Sequence, residues 1–408
     1  MLRTRQKYTV LDLFCGAGGL SLGLEMAGFE TVAGVDFDEN AIETFRANHP
    51  NAVGLHADVC DVKGADILAK CGLKEIDVVA GGPSCQGFST HGKRIESDPR
   101  NFLFKEYIRI VTELRPKFII MENVKGLLTY SGGYFKELIE SSFSEAGYRV
   151  ESRILCAADY GVPQLRHRIL FLGTRLDVPL TFPQPTHFQA DDLSARANPY
   201  VTVEDALSDL PEDAPERLSG KTCTYKHDPK NAYQEYCRKG MRSSEISLHH
   251  FRPLSEYSYK IISNLKEGQG IRDLPEQLLP PRFKRMRRIS TGELRKDCTT
   301  LYHRISWSEP SYTITCNFKN VASGPFAHPT KNRGITPREA LRLMSFPDSY
   351  RFCGSKIPMQ IGNAVPPLMA KAIGHAVMDS MRRARNPARK TKAAKCQNIS
   401  SPLVSGRR

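Results

Sequence analysis

The chain has 408 residues, 40% of them hydrophobic and 25% charged, with a formal net charge of +14. That is enough apolar material for a substantial core and too long a chain for one simple domain, so two domains are the natural expectation. No run approaches the roughly 20 apolar residues of a membrane span, and the amino-terminal MLRTRQKYTVLDLF has no long apolar region or small-residue cleavage site, which predicts an intracellular protein.

From the amino terminus, YTVLDLF, TVAGVD, AVGLHA, IDVVAGG, KFIIMEN, YRVESRIL and RILFLGT read as strands. Between them GLSLGLEMAG, DENAIETFRAN, LFKEYIRIVTEL and FKELIESSFSEAG read as helices. This alternation over residues 1–176 predicts a parallel α/β sheet with helices on both faces. From 177 to 335 the pattern breaks down into a polar stretch punctuated by prolines, read as a smaller, irregular, mostly β domain. A segment from 336 to 385 returns to helix, with TPREALRLMSF and then GNAVPPLMAKAIGHAVMDSMRRA. Nine of the fourteen excess positive charges lie in 381–408, which contains no acidic residue, and 386–408 reads as a basic, disordered tail. A second basic run, RFKRMRRISTGELRK, is interleaved with Phe283, Met286 and Ile289 inside the second domain. The eleven cysteines include no CxxC pair, which suits free thiols in a reducing compartment. Cys223, His227 and Cys237 match no zinc spacing, so no metal is expected.

Ligands of open α/β sheets bind beyond the carboxyl ends of the strands. After the first strand, DLFCGAGGLSLGL places Gly16, Gly18 and Gly19 where the backbone turns tightly into a helix. Asp36 ends the second strand, 20 residues after Gly16, where a carboxylate can bind ribose hydroxyls. Phe37 beside it can stack on adenine, and Asp58, read as ending the third strand, can take an adenine amino group. Together these describe an adenosine-type pocket. Asp58 also reads as a helix cap, and Glu122 as a cap or an ion-pair partner. After the fourth strand, GGPSCQGFS carries Cys85 on a thin glycine-rich loop, and after the fifth, MENV carries Glu122. A nucleophilic thiol and a protonatable carboxyl in one crevice suggest acid-assisted covalent catalysis. QLRHRIL places Gln164, Arg166 and Arg168 at alternate positions, on one face of a strand. Two arginines there can lower the thiol pKa and hold a ring oxygen; a surface-exposed edge strand is the plainer reading.

The order of these motifs resembles that of the DNA (cytosine-5) methyltransferases. DLFCGAGGLSLGLEMAGF is similar to the family's S-adenosylmethionine motif, and GGPSCQGFS to its Pro-Cys-Gln loop. MENVKGL is similar to the Glu-Asn-Val motif, QLRHR to Gln-x-Arg-x-Arg, and ITPREALRLMSFPD and IGNAVPPLMAKAIG to the last two blocks. One departure is that Ser84, not proline, directly precedes the cysteine, with Pro83 one place earlier.

The resemblance implies a Rossmann-like S-adenosylmethionine-dependent methyltransferase fold. Residues 1–176 would be the catalytic and cofactor domain, 177–335 the target-recognition domain, and 336–385 a return to the catalytic domain. It implies transfer of a methyl group to carbon 5 of a cytosine flipped out of duplex DNA. Cys85 would add to carbon 6, Glu122 would act on ring nitrogen 3 and the exocyclic amine, and Arg166 and Arg168 would steady the cytosine oxygen and the thiolate. Further cofactor contacts are implied at Phe14, Val59, Asn363 and Val365. Gln86 and His91 would fill the gap in the duplex, and Arg285, Arg287 and Arg288 would touch phosphates. Arg304 and Thr313 are conceivable DNA contacts or parts of an ordinary strand. The implied partner is double-stranded DNA, bound by a cytoplasmic, nucleoid-associated monomer that belongs to a restriction-modification system with a cognate endonuclease. A tRNA cytosine-5 methyltransferase has a shorter recognition region than the one here. A non-catalytic DNA-binding module would not need Cys85 and Glu122, and a small-molecule methyltransferase would leave the basic insert without a purpose.

Overall fold

The computed structural model describes residues 7–83, 103–189, 192, 198–217, 221–279, 281–284 and 300–385. Five strands, β1 (Thr9–Leu13), β2 (Glu30–Asp36), β3 (Val53–His56), β4 (Val78–Gly81) and β5 (Phe118–Val124), run parallel. Two more, β6 (Arg149–Cys156) and β8 (His167–Thr174), complete a seven-stranded sheet in the order β3-β2-β1-β4-β5-β8-β6. β8 is antiparallel to both of its neighbours, so the sheet is not parallel throughout as the alternation suggests. The short β7 (Gln164–Leu165) leaves this sheet and pairs with β9 (Ser311–Tyr312).

Strands such as β4 and β5 are apolar almost without interruption because both faces are covered. On one face lie α1 (Gly19–Met26) and the carboxy-terminal helix, whose Leu20, Leu24, Met369, Ile373 and Val377 share a core with Val10, Val78 and Ile120. At Gly23 the helix pair closes tightly: a Cβ there would stand 2.3 Å from that of Ala370. Flanking the sheet are also α2 (Glu39–Asn48), α3 (Gly64–Cys71), α4 (Leu103–Leu114) and α5 (Tyr134–Glu145). Ile67, Phe104, Ile110, Val111, Ile139 and Phe143 of the last three cover the opposite face. α3 is not among the helices expected from periodicity, since only Gly64 and Ile67 of its eight residues are buried.

Between 177 and 335 the described residues are largely irregular, as expected, but their regular elements are short helices rather than mostly β strands. They are α6 (Val203–Leu207), α7 (Ala232–Arg238), α8 (Glu256–Ile262) and α9 (Pro281–Lys284), with β9 and a few isolated bridges. The prolines interrupt strands as effectively as helices. Three helices follow: α10 (Pro337–Leu343), α11 (Ile357–Asn363) and α12 (Pro367–Arg385). α10 is opened by a capping box between Thr336 and Glu339 with Pro337 in the first turn, a signal legible in TPRE. No described helix is long and apolar enough to cross a membrane.

Candidate active site

Strand order reverses at β1, which lies between β2 and β4, and register then aligns the strand ends. Leu13 pairs with both Val35 and Gly81, Gly81 with Met121, and Asp36 with His56. Phe14, Asp36, Phe37, Asp58, Gly82 and Glu122 therefore stand along one edge of the sheet, at the switch point where such folds bind ligands.

The turn after β1 is built for close approach. Phe14 takes φ 59°, a conformation that an aromatic residue rarely adopts, and Gly16 and Gly18 take 52° and 85°. A Cβ on Gly16 would meet nothing within 4 Å, whereas on Gly18 it would stand 2.5 Å from His49 Nε2. The turn is thus packed from below at Gly18 and open above at Gly16. Gly19 lies against the Val365 carbonyl, which a Cβ would approach to 2.4 Å. Asn363 is exposed at the end of α11, so the Asn-Ala-Val segment borders the same turn.

Asp36 is buried and accepts from the Gly16 N–H at 2.8 Å and the Asp38 N–H at 2.9 Å. Burial raises its pKa, and these N–H groups oppose the rise. Two donors leave lone pairs of the carboxylate available. Phe37 is 70% exposed, an aromatic ring with an uncovered face. Asp58 uses one oxygen to cap the short turn at Val59–Asp61 through the Cys60 N–H (2.9 Å). The cap reading therefore holds, with the second oxygen at the surface. Val59 is buried, and its carbonyl accepts from Arg109. Glycine cradle, buried acid and bare ring fit an adenosine-containing methyl donor.

In the second half of the site, Glu122 and Arg168 form a close pair, Oε1 to Nε 2.9 Å, across the antiparallel β5–β8 ladder. The N–H does not point at Oε1, so this buried oxygen has no aligned hydrogen bond. Burial pushes the Arg168 guanidinium below its ordinary value, and Glu122 opposes the shift. Asn123 Nδ2 donates to the Pro83 carbonyl at 3.1 Å and so ties the chain to this edge just before residue 84. Cys85, Gln86 and His91 lie outside the described residues, as do Arg285, Arg287 and Arg288.

Arg166 does not share the Glu122 pocket as expected. It is fully buried, and its Nη groups donate to the carbonyls of Ile314, Gly362 and Ala364 at 3.0 Å each. These bonds tie the β7–β8 corner to the segment after β9 and to the Asn-Ala-Val turn. Gln164 is also buried and brackets the same corner through Leu343 and Ile314. The surface-exposed reading therefore fails for Gln164 and Arg166, and the Nη groups of Arg166 are committed to carbonyls rather than to Glu122. Arg304, a conceivable DNA contact, is likewise buried, with its guanidinium on the carbonyls of Ile262, Leu265, His328 and Lys331. Thr313 donates to the Leu165 carbonyl. A cleft of about 460 Å³ at the opposite end of the sheet, lined by Tyr8, Asp77, Lys117 and Arg385 among others, contains none of the expected site residues.

Asn123 and the network of Arg338, Arg342 and Asp348 behind the site escaped sequence reasoning, because their roles depend on partners up to 136 residues away.

Comparison with known proteins agrees with this geometry. A family model described as C-5 cytosine-specific DNA methylase matches residues 8–379. The chain is 36% identical over 378 residues to the Type II methyltransferase M1.HphI of Haemophilus parahaemolyticus, covering 91% of this chain and 86% of that protein. It is 37% identical over 390 residues to M.XorII of Xanthomonas oryzae pv. oryzae, covering 91% and 85%. A crystal structure of a prophage-encoded Escherichia coli protein, named for DNA modification methyltransferase activity, superposes with TM-score 0.71 at 28% identity, covering 92% of this chain and all of that one. Spodoptera frugiperda DNMT2, at TM-score 0.56 and 18% identity, shares the fold. The chain belongs to the C-5 cytosine-specific DNA methylases and is a DNA (cytosine-5) methyltransferase.

Proposed function

We propose that the protein methylates carbon 5 of a cytosine flipped out of a specific duplex sequence, as the modification enzyme of a restriction-modification system. The observation that carries this reading is the Glu122–Arg168 pair, with a buried, unaligned carboxylate oxygen, on the same edge of the sheet as the open glycine turn. Its relatives are Type II methyltransferases, which supports pairing with a cognate endonuclease.

Cys85, as thiolate, adds to carbon 6 of the flipped cytosine, and electron density moves to carbon 5. Glu122 donates a hydrogen bond or proton at ring nitrogen 3 and accepts from the exocyclic amine, opposing the charge that develops on the ring. Arg168 holds Glu122 and faces the cytosine oxygen, while Arg166 acts as a positioning residue through its three carbonyls. S-adenosylmethionine, when bound, supplies the methyl group from its sulfonium. Gly16, Gly18, Gly19, Asp36, Phe37, Asp58, Asn363 and Val365 would hold it, with Phe14 and Val59 shaping the pocket floor. After carbon 5 is methylated, loss of its proton and cleavage of the carbon–sulfur bond restore the thiolate and the aromatic ring. Gln86 and His91 would occupy the space the base vacates, and Arg285, Arg287 and Arg288 would contact phosphates.

Incubating the protein with tritium-labelled S-adenosylmethionine and duplex DNA, tRNA or no polymer tests the reading. Label should enter DNA only; label in tRNA would instead support the RNA enzyme, and none in either would remove catalysis altogether.

Asp36→Ala should weaken S-adenosylmethionine binding about ten- to hundredfold, the effect of losing a charge-assisted hydrogen bond and the anchor of Gly16. Titration calorimetry measures this, and unchanged affinity would refute the ribose assignment.

The described part of the second region carries its own positive patch. The Arg217 N–H bonds the Phe251 carbonyl, which brings Arg217 beside Arg252. Lys319 is held below its ordinary pKa by burial and by these two arginines. Converting all three to glutamine should weaken duplex binding and lower the log–log salt slope by about 0.9 for each phosphate the protein ceases to neutralise. The methylated sequence, read by bisulfite sequencing, should not change, because phosphate contacts position without specifying.

A further inference from the structure

Under the glycine turn, three polar side chains from distant parts of the chain form one continuous row. Glu25 on α1 meets His49, just past α2, with Oε1 2.8 Å from Nδ1. The other ring nitrogen of His49 lies 3.0 Å from the Tyr350 hydroxyl, which donates to the Ala17 carbonyl at 2.5 Å. His49, Tyr350 and Ala17 are buried, and the imidazole stacks on Phe45 with ring centroids 4.5 Å apart.

Counting hydrogens gives the row a direction. Tyr350 has a single hydroxyl hydrogen, and it is directed at Ala17; burial holds the phenol well above its ordinary pKa, so that hydrogen stays in place. The Tyr350 oxygen must then accept from His49 Nε2, and the Nδ1–Glu25 contact needs a hydrogen of its own. The row is then a chain of aligned donors ending on the Ala17 carbonyl.

Ala17 lies between the two glycines that form the cradle. On its far side, Gly18 has no room for a side chain because His49 Nε2 and the Tyr350 hydroxyl would lie 2.5 and 2.7 Å from its Cβ. On its near side, the Gly16 N–H is held by Asp36. The geometry points to Glu25, His49 and Tyr350 as positioning residues that fix the Ala17 peptide, and through it the orientation of the Gly16–Gly18 turn toward the methyl donor. This rests on reading that turn as the S-adenosylmethionine site.

The test uses the full-length enzyme. Tyr350→Phe keeps the ring and removes the hydroxyl. It should raise KM for S-adenosylmethionine, and Kd for S-adenosylhomocysteine, about five- to tenfold, as one buried hydrogen bond would. kcat at saturating donor and KM for DNA should stay within about twofold. Glu25→Ala should raise the donor KM at least about threefold, whereas Glu25→Gln, whose side-chain amide can still hydrogen-bond Nδ1 as donor or acceptor, should restore it to within about twofold of wild type. Glu25 is about a third exposed, so if Tyr350→Phe does not fold, the two Glu25 variants decide the question. Wild-type donor KM in Tyr350→Phe or in Glu25→Ala overturns the inference, and so does failure of Glu25→Gln to rescue. A wild-type enzyme that methylates DNA but does not bind S-adenosylhomocysteine overturns the assignment of the cofactor site instead.

Discussion

Cys85→Ser should abolish methyl transfer, by at least about a thousandfold, while leaving S-adenosylmethionine and DNA binding in place. Carbon 5 of cytosine is a poor nucleophile until something adds to carbon 6, and a thiolate can do this at neutral pH. A serine hydroxyl keeps its proton there. The free thiol, with an ordinary pKa of about 8.5, still needs help to ionise. In the proposed mechanism Arg168, fixed against Glu122, would supply that help, and Asn123 holds Pro83, two residues before Cys85 in the sequence. Duplex DNA carrying 5-fluorocytosine at the target should form a denaturation-resistant complex with wild type and none with the variant, because the fluorine cannot leave as the proton does. Turnover within tenfold of wild type would mean that Cys85 is not the nucleophile.

Arg342→Ala should destabilise the protein by about 3–5 kcal/mol, the cost of leaving buried carboxylates unpaired. Its guanidinium joins Asp348 (2.8 and 2.6 Å) to Asp209 (2.8 and 3.1 Å) and bonds the Ala206 carbonyl, and all three side chains are buried. Asp348 also accepts from Arg338 and from the Tyr225 hydroxyl. This network fastens α6 and the α7 region to α10, and so joins the second region to the helices that return to the site. Burial by itself would raise the Asp348 pKa, but Arg342 and Arg338 hold it below its ordinary 3.8. A depressed carboxylate contributes stability above its unfolded value and loses it as pH falls through its folded value. The gap between wild type and Arg342→Ala in urea denaturation should therefore be full at pH 7 and narrow below about pH 4. A difference under 1 kcal/mol at pH 7 would show that the charges are solvated in the folded protein.

The α/β class, the position of each strand of the main sheet and the residues at the strand ends were all legible in the amino-acid sequence. These are local properties: apolar runs bounded by glycine and acidic residues state their own conformation, and a ligand site at a strand end inherits that legibility. LFKEYIRIVTEL was readable as α4 to the residue because its apolar face repeats with helical period. GADILAKC was not, because a helix with two buried residues carries little pattern. The two arginines of QLRHR are told apart only once the chain is folded. Alternation puts both on one side of an extended segment, but the chain turns between β7 and β8, so Arg168 faces Glu122 while Arg166 is enclosed by carbonyls from 148 to 198 residues away. Folding likewise makes Arg304 internal, gives the described part of the second region short helices set in irregular chain, and brings His49 and Tyr350 beneath the glycine turn. In each case the outcome depends on which distant backbone groups need a donor once the chain has folded. A buried carbonyl must be paired, and nothing in the sequence near an arginine, a histidine or a tyrosine says which carbonyl it will meet.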